Sequence, residues 1–272
     1  MRMRGTVVCL AVIYGFLGTA GPAACLCAAS VPARGSALFA AMDPMRKAPG
    51  WRTEQTAHSP ECSAKSCNSL EQVYEHAQRG DAESQLWLAR QYESGSCGLC
   101  KDDPLAVVWF KKAAEAGRAE AQFALGIRCF FGLGVPQNLE QAASLLHKAA
   151  QQGHAEAQYR LAGCLEDGLG VSADKAAAVY WYSMSAALGY PQAQNMLGIL
   201  CSKGVGVPRD AHAAASWFMR AAAQGYATAQ YNLARSYETG DGLDKNREKA
   251  LYWYGKAARQ GDADAQARLD AF

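Results

Sequence analysis

A glutamine recurs at nearly constant intervals through most of this 272-residue chain. Successive copies are 37, 36, 36, 36 and 36 residues apart, at Gln85, Gln122, Gln158, Gln194, Gln230 and Gln266. A glycine stands five residues before each of them, at Gly80, Gly117, Gly153, Gly189, Gly225 and Gly261. A period in the thirties is typical of helix-turn-helix units, which bury their apolar faces only by stacking on one another. The spacing therefore predicts an all-α array of stacked helix pairs.

The pattern within each unit predicts two helices. Apolar or small residues at the third, fourth and seventh positions after the glutamine form one helical face. A glycine pair such as Gly132/Gly134 then ends the first helix, because the chain must reverse in left-handed backbone angles. A short polar residue is suited to cap each second helix; these caps are Asp102, Asn138, Asp174, Asp210 and Asn246. We delimit five repeats at 80–116, 117–152, 153–188, 189–224 and 225–260, after a partial leading helix and before a closing helix at 261–272.

The second half of each unit carries a pair of bulky residues. The pairs are Trp109-Phe110, Leu145-Leu146, Trp181-Tyr182, Trp217-Phe218 and Trp253-Tyr254. This recurrence favours a core between repeats. Stacking on nucleic-acid bases would require exposed rings along a basic groove, whereas the formal net charge is only +2. We therefore expect core packing and no nucleic-acid partner.

Several recurring runs resemble the Sel1-like repeat, a relative of the tetratricopeptide repeat. They are Ala119–Gln122 with Leu125-Gly126, Gly132–Pro136, and His147–Ala150 before Gly153. The resemblance covers about residues 68–272 and implies a right-handed α-solenoid that acts as an adaptor for protein complexes, often in an envelope or an endoplasmic-reticulum lumen. The chain departs from the pattern at Cys97, Leu145 and Ser172, where a glycine, a tryptophan and a proline are expected.

The N-terminal 29 residues have the layout of a secretory signal peptide. Two arginines precede an apolar stretch at about residues 6–17 and then small residues. About a dozen apolar residues is fewer than the roughly 18 or more that span a bilayer. We predict export to the periplasm or the outside, followed by a flexible linker at 30–67. Lipidation at Cys25 is an alternative, and only in that case do we expect contact with a membrane.

Four cysteines are disulfide candidates: Cys62, Cys67, Cys97 and Cys100. By register, the first two precede the leading helix at the edge where the first repeat has an enlarged turn. In an oxidising compartment we expect two disulfides between these pairs. A tetrahedral zinc site that uses Cys97 and Cys100 remains an alternative. Cys129, Cys164 and Cys201 are expected to be free thiols, and Cys164 the most reactive of them.

An enzyme is the less favoured reading. Cysteine-rich relatives are associated with penicillin binding and weak β-lactam hydrolysis, and Ser172–Lys175 fits the Ser-x-x-Lys pattern. The companion Ser-Asp-Asn and Lys-Thr-Gly motifs are absent, and Ser172 stands in an ordinary turn. We find no catalytic residue, metal ligand set or cofactor-binding loop. Hydrolysis of β-lactams or peptidoglycan fragments, and passive binding of cell-wall glycan, are the alternatives to a scaffold.

A partner protein or peptide is expected on the concave face, which the resemblance places on the first helix of each pair. Core packing leaves free the second, fifth and sixth positions after each glutamine. Apolar residues and arginine alternate there, which suits a peptide with an acidic side. The predicted binding residues are Trp87, Arg90, Ile127, Arg128, Arg160, Met196, Ile199, Leu200, Asn232 and Arg235. The alternative is that the apolar members pack between repeats.

Overall fold

The computed structural model describes residues 65–272, with side chains from Leu70 onward. The predicted signal peptide, most of the linker, Cys25 and Cys62 lie outside this range. The described residues form α1 (Lys65–Gln78), α2 (Ala82–Ser94), α3 (Asp103–Glu115), α4 (Ala119–Phe131), α5 (Leu139–Gln151), α6 (Ala155–Asp167), α7 (Lys175–Ala187), α8 (Pro191–Lys203), α9 (Ala211–Ala223), α10 (Ala227–Thr239), α11 (Arg247–Ala258) and α12 (Ala263–Ala271). They include no strand.

The helices stack in series as an α-solenoid. Each even-numbered helix packs on the odd-numbered helix that follows it, and each odd-numbered helix packs on the next even-numbered one. We call α2, α4, α6, α8, α10 and α12 the A helices, and α1, α3, α5, α7, α9 and α11 the B helices. The predicted fold class is confirmed.

The recurring glutamine is a buried hydrogen-bonding residue. In each of the five repeats its Nε2 donates to a backbone carbonyl eight residues earlier, near the end of the preceding B helix; for Gln158 the acceptor is the carbonyl of Ala150, at 3.0 Å. The last carbonyls of a helix have no partner within the helix. The glutamine therefore satisfies one of them from the next A helix. Gln266 differs, since it is exposed and donates to Asp270.

The glycine pairs end the A helices as predicted. Gly168 and Gly170 both have positive φ, 71° and 72°. A methyl group on Gly170 would lie 2.1 Å from the carbonyl oxygen of Leu139, at the start of the preceding B helix. The second glycine is thus required for close approach between repeats as well as for its backbone angles. In the first repeat Cys97 replaces that glycine and adopts a φ of 53°. Among the described residues it is the one non-glycine residue with a positive φ.

The predicted caps are confirmed. Each accepts a hydrogen bond from the backbone three residues later, as Asp102 does from the N–H of Leu105 at 2.9 Å.

The aromatic core is confirmed in part. Phe110, Leu146, Tyr182, Phe218 and Tyr254 are buried, but among the tryptophans only Trp109 is; Trp181, Trp217 and Trp253 are half-buried at the edge of the B layer.

One boundary differs from the prediction. α1 begins at Lys65, so the last residues of the predicted linker are helical and Cys67 lies within the helix rather than before it. The linker was assigned from its prolines, the last of which is Pro60. No proline stands between Pro60 and the end of α1, so none opposes helix formation there.

Candidate binding groove

A groove of about 380 Å³ crosses the A helices of the first three repeats. A volume of this size is in the range of ligand pockets, roughly 300–1,000 Å³. Its walls combine arginines, glutamates and apolar side chains: Arg90, Glu93, Phe110, Glu120, Phe123, Ala124, Ile127, Arg128, His154, Glu156 and Arg160. Four of the ten predicted binding residues therefore meet in one groove: Arg90, Ile127, Arg128 and Arg160.

The apolar floor is held in place by a stacked pair. The rings of Phe123 on α4 and His154 at the start of α6 are 4.5 Å apart and inclined by 23°. Nδ1 of His154 accepts the backbone N–H of Ala157 at 3.2 Å, which caps α6 and fixes the ring. Ile127 lies one turn beyond Phe123 on the same side of α4. The floor thus presents apolar surface whose position is set by helix geometry.

Ion pairs join the walls of the groove. Arg90 of α2 pairs with Glu120 of α4, and Arg160 pairs with Glu156 within α6 at 3.3 Å. The side chains of Arg90 and Glu120 are 51% and 45% exposed. Exposed ion pairs contribute only about 0–1 kcal/mol to stability. A charged ligand can therefore replace one member of such a pair at little cost.

Arg128 is the buried cation of the groove. Its side chain is only 6% exposed, its guanidinium lies 4.6 Å from the ring centre of Phe110, and its Nη2 donates to Glu93 at 2.8 Å. The Nε atom is buried without a hydrogen-bond partner. Arginine can donate five hydrogen bonds, so this wall has donor capacity beyond what Glu93 satisfies.

The environment of Arg128 depends on a substitution in the B layer. In the third and fifth repeats the glutamate equivalent to Glu93 accepts a hydrogen bond from a buried tyrosine: Tyr182 to Glu166 at 2.9 Å, and Tyr254 to Glu238 at 2.6 Å. The first repeat has Phe110 at that position, which has no hydroxyl group. Glu93 is consequently available to Arg128 of the next repeat.

The other predicted residues lie outside the groove. Leu200 is a correction, because it is buried against Ala162, Ala178 and Tyr182 and offers no surface to a partner. Met196 packs on that cluster and Ile199 on the next one. Nδ2 of Asn232 donates to Asn195 at 2.8 Å, Trp87 is half-buried, and Arg235 is exposed. The apolar members beyond the third repeat therefore pack between repeats.

Much of the groove floor and its acidic wall are not among the residues predicted from the sequence. Phe123 is the residue that follows the recurring glutamine of the second repeat. His154 is the N-cap of the next A helix, α6. At the same pair of positions, the ring centres of Tyr159 and of Tyr190 in the next repeat are 5.5 Å apart. An aromatic residue at both positions, 31 residues apart, was the available signal.

A second cavity, of about 460 Å³, lies beside α12. It is lined by Tyr237, Glu238, Lys245, Asn246, Arg247, Arg268, Ala271 and Phe272. None of the predicted binding residues is among these. We therefore take the groove of the first three repeats as the candidate site, although this cavity is larger.

Ser172 is exposed in the turn before α7, and no hydrogen bond joins it to Lys175 in this part of the chain. No cluster of three or more His, Cys, Asp or Glu side chains among the described residues could hold a metal ion. None of the helices α1–α12 has the length and apolar character needed to cross a bilayer.

The cysteines fall into two groups. Cys97 and Cys100 are half-buried in the enlarged first turn and are not bonded to each other, so the disulfides to Cys62 and Cys67 stay a prediction. Cys129, Cys164 and Cys201 are buried free thiols. The expectation that Cys164 is reactive is wrong, because the side chain packs inward beside Leu161 and burial raises the pKa of its thiol.

The Sel1 repeat family model matches five consecutive segments of the chain. They are residues 82–117, 119–154, 155–190, 191–226 and 227–262. No curated protein sequence is significantly similar to the chain.

Two solved structures share both sequence and fold with the chain. One is a protective antigen of uropathogenic Escherichia coli strains with an SLR fold, at 30% identity and a TM-score of 0.70, covering 75% of this chain and 44% of the antigen. The other is a Sel1 repeat protein from Oxalobacter formigenes, at 38% identity and a TM-score of 0.68, covering 75% of this chain and 59% of that protein. The chain thus matches about half the length of these relatives.

Proposed function

The chain belongs to the Sel1 repeat family, and we propose that it is an exported scaffold that binds a segment of a partner protein in the groove of the first three repeats. Membership in the family indicates a scaffold for protein–protein interaction. The partner class, the groove as its site and the exported location are our proposal. The location rests on the signal-like N-terminal 29 residues.

The groove's combination of an apolar floor and replaceable charges carries the proposal. Phe123 and Ile127 offer apolar surface, while the exposed pair between Arg90 and Glu120 can exchange one member for a charge on the partner. Arg128 adds a buried guanidinium whose Nε is unpartnered. Surplus donors favour a partner that supplies acceptors. We therefore expect a peptide segment with apolar anchors and an acidic side.

A crosslinking pull-down from envelope extract tests this proposal. The groove variant combines Arg90→Glu, Ile127→Asp and Arg160→Glu. The matched control is Arg235→Glu, a charge reversal on an exposed A-helix residue outside the groove. Circular dichroism first establishes that all baits have the same helical content. We expect one protein to be captured by the natural chain and by the control and lost with the groove variant. Equal capture by all three baits contradicts the proposed site.

A further inference from the structure

The outer face of α7 differs from those of its neighbours in the B layer. Tyr180, Met184 and Leu188 follow one another at intervals of four residues, so they lie in a line along the helix. They are 56%, 40% and 55% exposed. We call these three residues the α7 stripe. The equivalent positions of the second and fourth repeats are polar or basic: Ser144, Lys148, Gln152, Ser216, Arg220 and Gln224.

In α7 no Lys or Arg covers the tryptophan ring, unlike in three other B helices. In the first, fourth and fifth repeats a Lys or Arg lies over the B-helix tryptophan, with distances to the ring centre of 4.3 Å for Lys112, 4.5 Å for Arg220 and 5.0 Å for Lys256. The corresponding residue of α7 is Met184, which leaves Trp181 without such a cation. The apolar stripe is thereby extended by part of the Trp181 ring.

The stripe is kept at a cost to the fold. Gln152, Gln224 and Gln260 each donate a hydrogen bond to the recurring glutamine of their own repeat. Leu188 stands at the equivalent position of the third repeat, and Oε1 of Gln158 is buried without a partner. Leu188 is exposed, so it gains little burial in return. Gln85 of the first repeat, where Ala116 stands at this position, also has an unpartnered Oε1. What is particular to the third repeat is that a large, exposed apolar residue replaces the donor, and departures from a local rule are expected at functional positions.

Positive charge borders the stripe on both sides. Lys148 of α5 and Arg220 of α9 are exposed at the level of Met184, and neither forms an ion pair with a described residue. The helices α5, α7 and α9 contain one acidic residue, Glu140, in the first turn of α5. An apolar line between two cations is complementary to an apolar line between acidic residues.

We propose that the α7 stripe is a second docking surface, which binds an amphipathic helix of a partner protein whose apolar side is bordered by Asp or Glu. The apolar side packs on Tyr180, Met184 and Leu188, and the acidic borders face Lys148 and Arg220. The stripe is on the B layer and the groove on the A layer, so the proposal does not depend on the groove. Both surfaces can be occupied together, which would join two partners.

A protein helix fits the stripe better than a membrane surface does. An interfacial helix buries a broad apolar face about 5–10 Å into the headgroup region. The neighbouring B helices present Ser144 and Gln152 on one side and Ser216 and Gln224 on the other. Binding to a bilayer would desolvate these polar groups, whereas a single partner helix contacts the stripe and its cationic borders alone.

The experiment measures binding of a designed helical peptide to the full chain by fluorescence anisotropy. The probe has leucines along one face and glutamates on both borders, and a second peptide has lysine in place of each glutamate. The variant chain carries Tyr180→Ser, Met184→Arg and Leu188→Gln, which are the residues of α9 at the same positions and therefore compatible with the fold. The control is Arg235→Glu, a charge reversal on an exposed residue that lies outside both the groove and the stripe.

We expect the natural chain and the Arg235→Glu control to bind the glutamate peptide equally. The triple variant should bind it at least about tenfold more weakly, and the lysine peptide should bind both chains weakly. Equal binding by the triple variant, equal binding of the two peptides, or no binding of the glutamate peptide overturns the proposal. Vesicles of equal parts phosphatidylcholine and phosphatidylserine are the last arm. Binding to these vesicles that the triple variant loses assigns the stripe to a membrane and also overturns it.

Discussion

Gln194 and Gln224 connect the ends of two consecutive B helices. Nε2 of Gln224, which follows α9, donates to Oε1 of Gln194 at 2.9 Å, and Nε2 of Gln194 donates to the carbonyl of Ala186 in α7 at 3.2 Å. In the second, fourth and fifth repeats the recurring glutamine therefore joins the end of the preceding B helix to the end of the B helix in its own repeat. This connection is a physical reason for a glutamine to recur with the repeat.

Loss of one such glutamine should destabilise the array. Gln194→Met keeps the length of the side chain but leaves the carbonyl of Ala186 and the amide of Gln224 without these partners. We expect the free energy of unfolding to fall by about 1–3 kcal/mol in urea titrations. Gln266→Met is the matched control, since Gln266 is exposed and should change stability by less than about 0.5 kcal/mol. Equal losses in the two variants would contradict this role.

Restoring the missing donor in the third repeat should stabilise the protein. Leu188→Gln places an amide where Gln152 and Gln224 have theirs, within reach of Oε1 of Gln158. We expect a gain of about 1 kcal/mol in the free energy of unfolding, because a buried acceptor obtains its hydrogen bond. Leu188→Ala removes the exposed apolar side chain without adding a donor and should give no such gain. If both variants are equally stable, the unpartnered Oε1 of Gln158 does not lower the stability of the natural chain.

The two turn glycines should differ in their tolerance of a side chain. Gly168→Ala and Gly170→Ala both place an alanine at positive φ, which costs about 1 kcal/mol. Only the methyl group at residue 170 would also meet a backbone oxygen, that of Leu139 at 2.1 Å; at residue 168 the closest atom is 3.4 Å away. Urea unfolding should show the larger loss for Gly170→Ala. Equal losses would mean that close approach between repeats is not limiting.

Buried thiols should react slowly in the native protein. Burial raises the pKa of Cys129, Cys164 and Cys201, so little thiolate is present at pH 8 and reagents cannot reach it. In the reduced chain, an aromatic disulfide reagent should modify Cys100 within minutes and the three buried thiols only after unfolding with urea. Mass mapping of the modified sites checks this order. Rapid native labelling of Cys164 would contradict its placement in the core.

Stability should decline at alkaline pH. Burial, with a smaller contribution from the charge of Asp102, raises the pKa of Tyr92 from 10.0 to about 12. The unfolded chain then loses this proton first, so the stabilisation present below pH 10 is lost between about pH 10 and 12. Between pH 8 and pH 11, the free energy of unfolding of Tyr92→Phe should fall by about 1 kcal/mol less than that of the natural chain. An equal decline of the natural chain and Tyr92→Phe would contradict this role of Tyr92.

The sequence predicts the repeat architecture well because its determinants are local. Asp174 caps α7, which begins at the next residue. Gly168 follows the last residue of α6 and ends that helix. The bonding role of the glutamine was not predictable from spacing alone, since its acceptor is a carbonyl eight residues earlier and its donor lies 30 residues later.

The groove was predicted only in part because its contacts join different repeats. Arg90 and Ile127 were identified from their helical positions. The contact of Arg128 with Glu93 depends on Phe110, where the third and fifth repeats carry a tyrosine whose hydroxyl group donates to the equivalent glutamate. Leu200 stands at the sixth position after its glutamine, which is buried in four of the five repeats, at Arg128, Cys164, Leu200 and Ser236. The assumption that core packing leaves this position free is therefore wrong, whereas the contacts of Arg128 arise from packing between neighbouring repeats.

Site-specific photocrosslinking in intact cells is the most direct test of the groove. Ala124, on the groove floor, is replaced by a photoreactive phenylalanine analogue, and the control carries the same analogue at Glu248, which is exposed on α11 and outside the groove. We expect a discrete crosslinked product from position 124 that is absent from position 248 and is abolished by Arg90→Glu with Arg160→Glu. The absence of a product from position 124, or the same product from both positions, would contradict the groove as the binding site.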